Sequence, residues 1–205
     1  MPNKILILFA HPVLERSRVN RRLLEAVQAL PGVTVHDLYE RYPTLNIDVE
    51  YEQALLLEHD VYVFQHPFYW YSAPAIVKEW QDLVLEHGWA YGSEGRELVG
   101  KLTFNAITTG GPASAYRAEG YNRFTIRELL SPYDQTANLC GMRYLAPFVV
   151  HAALRLSTDS EVAPHGAAYR KVLEQLRDGT LDLAQAERAA SLNELVAGAG
   201  MERVS

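Results

Sequence analysis

Five short apolar runs, separated by segments of helical period, decide what this chain folds into. They cover residues 4–10, 33–38, 60–65, 102–108 and 142–152. Runs such as Ile5-Leu6-Ile7-Leu8-Phe9 are continuous rather than alternating. Continuous runs mark strands covered on both faces, as in parallel sheets. Pro147 places the fifth run at a sheet edge, because proline donates nothing to a ladder. After Ser17, a plausible N-cap, Val19, Leu23, Val27 and Leu30 recur at helical spacing until Pro31-Gly32 ends the pattern. Further helices are predicted over 50–58, over 73–85, over 124–140 with an interruption at Ser131-Pro132, and over 162–177 starting near Pro164. Alternating strands and helices predict an α/β three-layer sandwich: a five-stranded parallel sheet with helices on both faces. The right-handed crossover rule leaves few topologies, of which strand order 2-1-3-4-5 fits best. This domain spans 1–179. Residues 180–205, Ala-rich with Gly198 and Gly200, read as a C-terminal extension: one amphipathic helix over 181–196, or a tail.

A length of 205 residues allows one domain, or one domain plus a tail. Hydrophobic residues at 48% and charged residues at 21% are those of a globular protein. The net charge of −6 argues against a nucleic-acid partner. A single cysteine, Cys140, leaves no intrachain disulfide and no cysteine-based zinc site. The first apolar run is too short for a signal peptide or a membrane span, so the expected location is cytoplasmic. His36, His59, His66, His87, His151 and His165 fall on separate elements, so no metal set is expected and a structural or solvated role is assigned to each.

In open parallel sheets, ligands lie beyond the carboxyl ends of the strands. Three loops occupy that position. The first, from His11 to Asn20, lacks both the G-x-G-x-x-G and P-loop patterns. It still opens a helix, whose N-terminal N–H groups and dipole hold phosphate without glycines. Ser17, Arg16, Arg18 and His11 would add a hydroxyl, charge and a hydrogen bond; the plainer alternative is a capping serine and solvated arginines. The second loop follows His66-Pro67 with Phe68, Tyr69, Trp70 and Tyr71, alternate rings of which would pack below while the others line a flat cavity. The third is Thr108-Thr109-Gly110-Gly111, where paired glycines admit a flat ligand close to the backbone, or merely turn the chain. Together the loops suit a planar aromatic ligand bearing a phosphate, such as FMN.

These segments resemble the flavodoxin-like NAD(P)H:quinone oxidoreductase family. The resemblance rests on Ala10-His11-Pro12, Ser17-Arg18-Val19-Asn20, the stretch Gln65 through Ser72, and Thr108-Thr109-Gly110-Gly111. Within that family the chain is most similar to the Kef ancillary flavoproteins, which accompany glutathione-gated potassium efflux systems. That likeness rests on residues 87–92, residues 42–48, Cys140-Gly141 and Pro147-Phe148. It runs from about residue 3 to residue 178.

The resemblance implies FMN, with FAD the alternative, and NAD(P)H as co-substrate. It places the flavin phosphate and ribityl chain on His11, Ser17, Arg18, Val19 and Asn20. It places the isoalloxazine edge on Pro67, Phe68, Tyr69, Trp70 and Tyr71, and the N1/O2 side on Thr108, Thr109, Gly110, Gly111 and Pro112. Mammalian-type relatives carry a Tyr and then a His after this turn; the Tyr spacing falls on Tyr116 and the His spacing on Asn122. Asn cannot take up a proton, so their proton relay is in question here. Trp89, Tyr91 and Tyr121 are expected in the substrate pocket. The implied reaction is ping-pong: a hydride passes from NAD(P)H to flavin N5, and two electrons then pass to a quinone or similar acceptor. The family implies a homodimer. The Kef likeness adds an alternative: a regulatory flavoprotein subunit of a membrane potassium–proton antiporter, peripheral on the inner face of the cell membrane.

Overall fold

The computed structural model describes residues 1–196. Residues 197–205, which include Gly198 and Gly200 of the extension, lie outside the described residues. In chain order the elements are β1 (Ile5–Phe9), α1 (Arg18–Val27), β2 (Val33–Asp37), α2 (Leu38–Arg41), α3 (Val49–Leu57), β3 (Val61–Pro67), α4 (Ala75–Val84), β4 (Leu102–Thr108), α5 (Ile126–Leu129), α6 (Ser131–Leu139), β5 (Arg143–Tyr144), β6 (Phe148–Val150), α7 (Asp159–Arg177), α8 (Leu183–Arg188) and α9 (Asn193–Val196). The sheet is parallel, in order β2-β1-β3-β4-β5, with β6 also paired to β4.

Every residue of β1, β3 and β4 is buried, which is why these runs are continuous. Ile5, Ile7 and Phe9 face one core with Leu23 and Val27 of α1 and Tyr169, Val172 and Leu173 of α7. Leu6 and Leu8 face the other, with Ile76, Val77 and Trp80 of α4 and Tyr133 of α6. The register brings the carboxyl ends to one edge: Phe9 lies opposite Gln65, Pro67 opposite Thr108, and Thr108 opposite Val150. His11, Phe68, Thr109 and His151 all follow within two residues of those ends.

Three expectations need correction. The fifth strand is two short strands, β5 and β6, because Pro147 offers no N–H to the ladder. The single helix predicted over 181–196 is instead α8 and α9 with an extended link between them. The two departures share a cause, since the extension turns its backbone toward the broken edge. The Ala146 N–H donates to the Ala186 carbonyl at 2.8 Å, and the Leu192 N–H donates to the Pro147 carbonyl at 2.9 Å. The Asn193 side chain accepts from the Val149 N–H at 2.8 Å and donates to its carbonyl at 3.0 Å. Covering an edge in this way removes a template for unwanted pairing. Third, α7 begins about a turn before Pro164, at a capping box of Thr158 and Glu161 that outweighs the one helix bond Pro164 forfeits.

Candidate functional site

The loop after β1 delivers Ser17 to the N-terminus of α1. Its hydroxyl accepts from the Asn20 N–H at 3.4 Å. The N–H groups of Arg18 and Val19 precede the first intrahelical bond, from the Arg21 N–H to the Ser17 carbonyl at 3.2 Å, and so lack partners within the helix. Val19 turns its side chain into the core, so its contribution is backbone. Asn20 is 1% exposed. Its amide donates to Ser17 Oγ and to Thr108 Oγ1, both at 3.0 Å, tying α1 to the end of β4. Its Oδ1 is buried without a partner. His11 Nδ1 accepts from the Val13 N–H at 3.1 Å, which puts the ring proton on Nε2. Burial lowers the His11 pKa, leaving a neutral donor. Arg22 is engaged with Glu25 and Asp159, whereas no described carboxylate lies within ion-pair distance of Arg16 or Arg18. Free N–H groups at a helix terminus beside two cations without a described ion-pair partner are an arrangement suited to an anion.

The aromatic loop differs from the alternating arrangement read from sequence. Only Phe68 is buried; Tyr69 and Tyr71 are exposed, and Trp70 is 93% exposed. Trp70 and Tyr71 both adopt left-handed backbone, with φ of 50° and 61°. Each such residue costs about 1–3 kcal/mol, a strain that concentrates at functional sites. The loop is held at its start by the Phe68 N–H, which donates to the Thr108 carbonyl at 2.8 Å.

The turn after β4 is braced from two sides. Thr109 Oγ1 donates to the Gly111 carbonyl at 2.8 Å. The Thr109 N–H donates to Val150 and the Ala152 N–H to Gly111, each at 2.9 Å. A Cβ at Gly110 would meet only Leu154 Cδ1, at an ordinary 3.8 Å, and the backbone there is not left-handed. The fold therefore accepts a side chain at 110, and the missing Cβ instead leaves open cleft. Gly110→Val is expected to weaken binding of any flat ligand lying across this turn at least about tenfold, since clashing groups cost roughly 1–3 kcal/mol. Its urea midpoint should stay close to that of the unchanged protein; a parallel loss of stability would contradict this account of Gly110.

Two clefts open along this edge. The first, of about 910 Å3, is lined by His11, Ser17, Arg18, Val19, Asn20, Pro67, Tyr69, Thr108 and Thr109. The second, of about 670 Å3, is lined by Tyr71, Gly111, Pro112, Tyr116, Tyr121 and Asn122. They share Phe68, Trp70 and Gly110 at their junction. Both volumes are those of small-molecule sites. Tyr116 lies between the rings of Phe68 and His151, at centroid distances of 6.3 and 5.7 Å. Burial raises its pKa and keeps the hydroxyl protonated. The Tyr71 hydroxyl donates to Asn122 Oδ1 at 3.2 Å.

Trp89 and Tyr91 line neither cleft of the chain. They pack on the second core, where the His87 ring meets Tyr91 edge-on at 5.4 Å. The segment after β6 was missed: Ala153, Leu154, Leu156 and Ser157 wall the first cleft, and His151 backs Tyr116. Among the described residues, no three His, Cys, Asp or Glu side chains are placed to hold a metal ion. No helix among them is long and apolar enough to cross a membrane.

A family model described as flavodoxin-like fold matches residues 3–175. The glutathione-regulated potassium-efflux system ancillary protein KefG of Cronobacter sakazakii is 49% identical over 170 residues, 83% of this chain and 92% of that one. Among solved structures, a protein described as a thermophilic tryptophan halogenase from Streptomycin violaceusniger is 46% identical, with a TM-score of 0.78 over 81% of this chain and 96% of that one. General stress protein 14 of Treponema denticola, in complex with FMN, is 40% identical, with a TM-score of 0.79 over 84% and 99%. An NADPH-quinone reductase from P. pentosaceus is 35% identical, with a TM-score of 0.75 over 83% and 97%.

Proposed function

The chain belongs to the flavodoxin-like fold family, and from that premise we propose that it binds FMN and passes two electrons from NAD(P)H to a quinone or a similar electrophilic acceptor. The relatives' names differ in activity, so the reading rests on the geometry. Its main support is the continuity of an anion-binding cleft with an aromatic cleft across the bare backbone of Gly110. The FMN phosphate would sit on Ser17, the Arg18 and Val19 N–H groups and His11. FMN rather than FAD is favoured because the 40% identical general stress protein 14 of Treponema denticola was solved in complex with FMN. The ring would lie across Gly110 against the loop of Tyr69 and Trp70. When bound, FMN supplies hydride acceptance and two-electron delivery in two separate half-reactions. The chain's own residues orient the partners and exclude water. Tyr116 presents a protonated hydroxyl to the second cleft, where the nicotinamide and the acceptor would alternate. Tyr121, 90% exposed at its rim, would close over them.

The exposed aromatics Tyr69, Trp70, Tyr71 and Tyr121 surround the clefts. Aromatic patches of this kind suit interfaces, and a homodimer is part of the proposal. Trp89 and Tyr91, remote from the clefts of their own chain, belong to the proposed pocket only if a second copy presents them.

Steady-state kinetics with FMN-loaded protein test the activity. NAD(P)H oxidation should depend on added quinone and give parallel double-reciprocal lines. Tyr116→Phe should slow flavin reduction several-fold with FMN affinity retained. Quinone-independent or absent oxidation would contradict the reading. A second reading is favoured by the KefG relatives: a regulatory subunit peripheral on the inner membrane face, binding a potassium-efflux antiporter. It predicts co-purification with the antiporter that persists in a variant without turnover.

A further inference from the structure

We propose that His151 is the entry point for the proton consumed in each turnover, taking it from a cavity behind Tyr116 and passing it to the second cleft through Thr109. The inference rests on the oxidoreductase reading above. Hydride donation from NAD(P)H brings two electrons and one proton. Reducing a quinone to its hydroquinone takes two electrons and two protons. One proton per turnover must therefore come from solvent. Asn122, in the second cleft, cannot carry it.

His151 is the first residue beyond β6, beside the turn that follows β4. Its Nδ1 lies 3.2 Å from Thr109 Oγ1. The Thr109 hydroxyl has a single proton, already donated to the Gly111 carbonyl at 2.8 Å. His151 Nδ1 must then carry the ring proton and donate it to Thr109, which leaves Nε2 as a bare base. A third cavity, of about 270 Å3, is lined by His151, Tyr116, Arg127, Ser191 and Glu194. Tyr116 also lines the second cleft, so it stands between the two spaces, with the His151 ring behind it at 5.7 Å. The Tyr116 hydroxyl lies beside Thr109, Gly111 and Asn122.

The groups facing His151 keep it neutral. Burial, with His165 of α7 as a lesser cause, lowers its pKa to about 4. His165 is itself lowered by burial. Arg127 of α5 is engaged with the Glu187 and Ala189 carbonyls, each at 2.9 Å. Glu194 of α9 is the carboxylate of the cavity.

The relay moves protons only, and nothing in it is oxidised or reduced. A solvent proton delivered through water in the third cavity forms the Nε2–H bond of His151. The Nδ1–H bond breaks and its proton joins Thr109 Oγ1. The proton formerly on Oγ1 swings from the Gly111 carbonyl to Tyr116 Oη, and the Tyr116 proton goes to the acceptor oxygen. Rotation of the Thr109 hydroxyl and loss of the Nε2 proton as Nδ1 is reprotonated restore the starting state.

The test needs two variants and one measurement without flavin. Imidazole 15N shifts of the flavin-free protein should show the Nδ1–H tautomer of His151 at neutral pH; an Nε2–H tautomer would overturn the proposal. His151→Asn keeps a donor toward Thr109 but relays nothing. It should bind FMN within threefold of wild type, keep its KM for NAD(P)H, and lose about tenfold in kcat with a changed solvent deuterium isotope effect, as for loss of a proton-transfer group. His151→Ala should lose a similar factor and recover part of it with added imidazole, which the third cavity accommodates. Unchanged kcat in His151→Asn, or a loss that imidazole does not restore, would overturn the relay while leaving the oxidoreductase reading intact. Absence of quinone-dependent turnover in the wild type, measured first, would overturn that reading instead.

Discussion

Replacing Ser17 by Asp is expected to weaken FMN binding by about a thousandfold and to leave the fold intact. Two unit charges about 4 Å apart interact by roughly 4 kcal/mol at an effective dielectric near 20. That corresponds to about three decades in affinity. To the proposed phosphate the site would offer a hydroxyl, the N–H groups of Arg18 and Val19, and the guanidinium groups of Arg16 and Arg18, which pair with no described carboxylate. A carboxylate at position 17 would take the place of the anion itself. Asp is as good an N-cap as Ser, so it would still accept from the Asn20 N–H and α1 would keep its start. Affinity and stability therefore separate in this variant. Titration of flavin-free protein with FMN, beside a urea melt, reads both. S17D affinity within tenfold of wild type would remove Ser17 from the phosphate site.

Glu52→Ala is expected to be the most damaging single change to stability, at about 3–5 kcal/mol, as for removal of one partner from a buried charged network. Glu52 is 0% exposed and projects from α3 beneath the second core. Its Oε1 accepts from the Tyr42 hydroxyl and pairs with His36 Nε2, both at 2.6 Å; its Oε2 accepts from Trp80 Nε1 at 2.7 Å. Truncation would strand these three groups without water to replace the lost partner, and would open a cavity beside Trp80. Glu52→Gln keeps the volume but sets an amide N–H against one of the donors, so its loss should be intermediate. Urea denaturation orders the three proteins. A Glu52→Ala loss below about 1 kcal/mol, the size of an ordinary exposed hydrogen bond, would mean that the network contributes little.

Three strands were legible because they are covered on both faces, so apolar pattern and burial coincide from Ile5 to Phe9 and in β3 and β4; β2, half-buried at the sheet edge, was legible from its β-branched Val33-Thr34-Val35. The break in the fifth was not, because the backbone groups that cover it lie about forty residues further on, in Ala186, Leu192 and Asn193. A backbone-to-backbone repair of an edge leaves no mark in residue type. The three loops of the candidate site followed from the carboxyl-end rule and local chemistry. His151 obeys the same rule but was hidden by the strand reading, which ran to Ala152 and so placed it inside a strand. The strand stops at Val150, and His151 is the first residue beyond it. Trp89 and Tyr91 show the converse. Aromatic character alone does not say which surface a ring faces, and theirs face the second core.

The loops after β1, β3 and β4 are proposed to form one FMN site. Titration of the flavin-free protein with FMN, followed by flavin fluorescence, tests it most directly. Quenching should end sharply at one FMN per chain and be lost in Ser17→Asp. Fluorescence that stays linear with added FMN, or saturation by FAD alone, would contradict it.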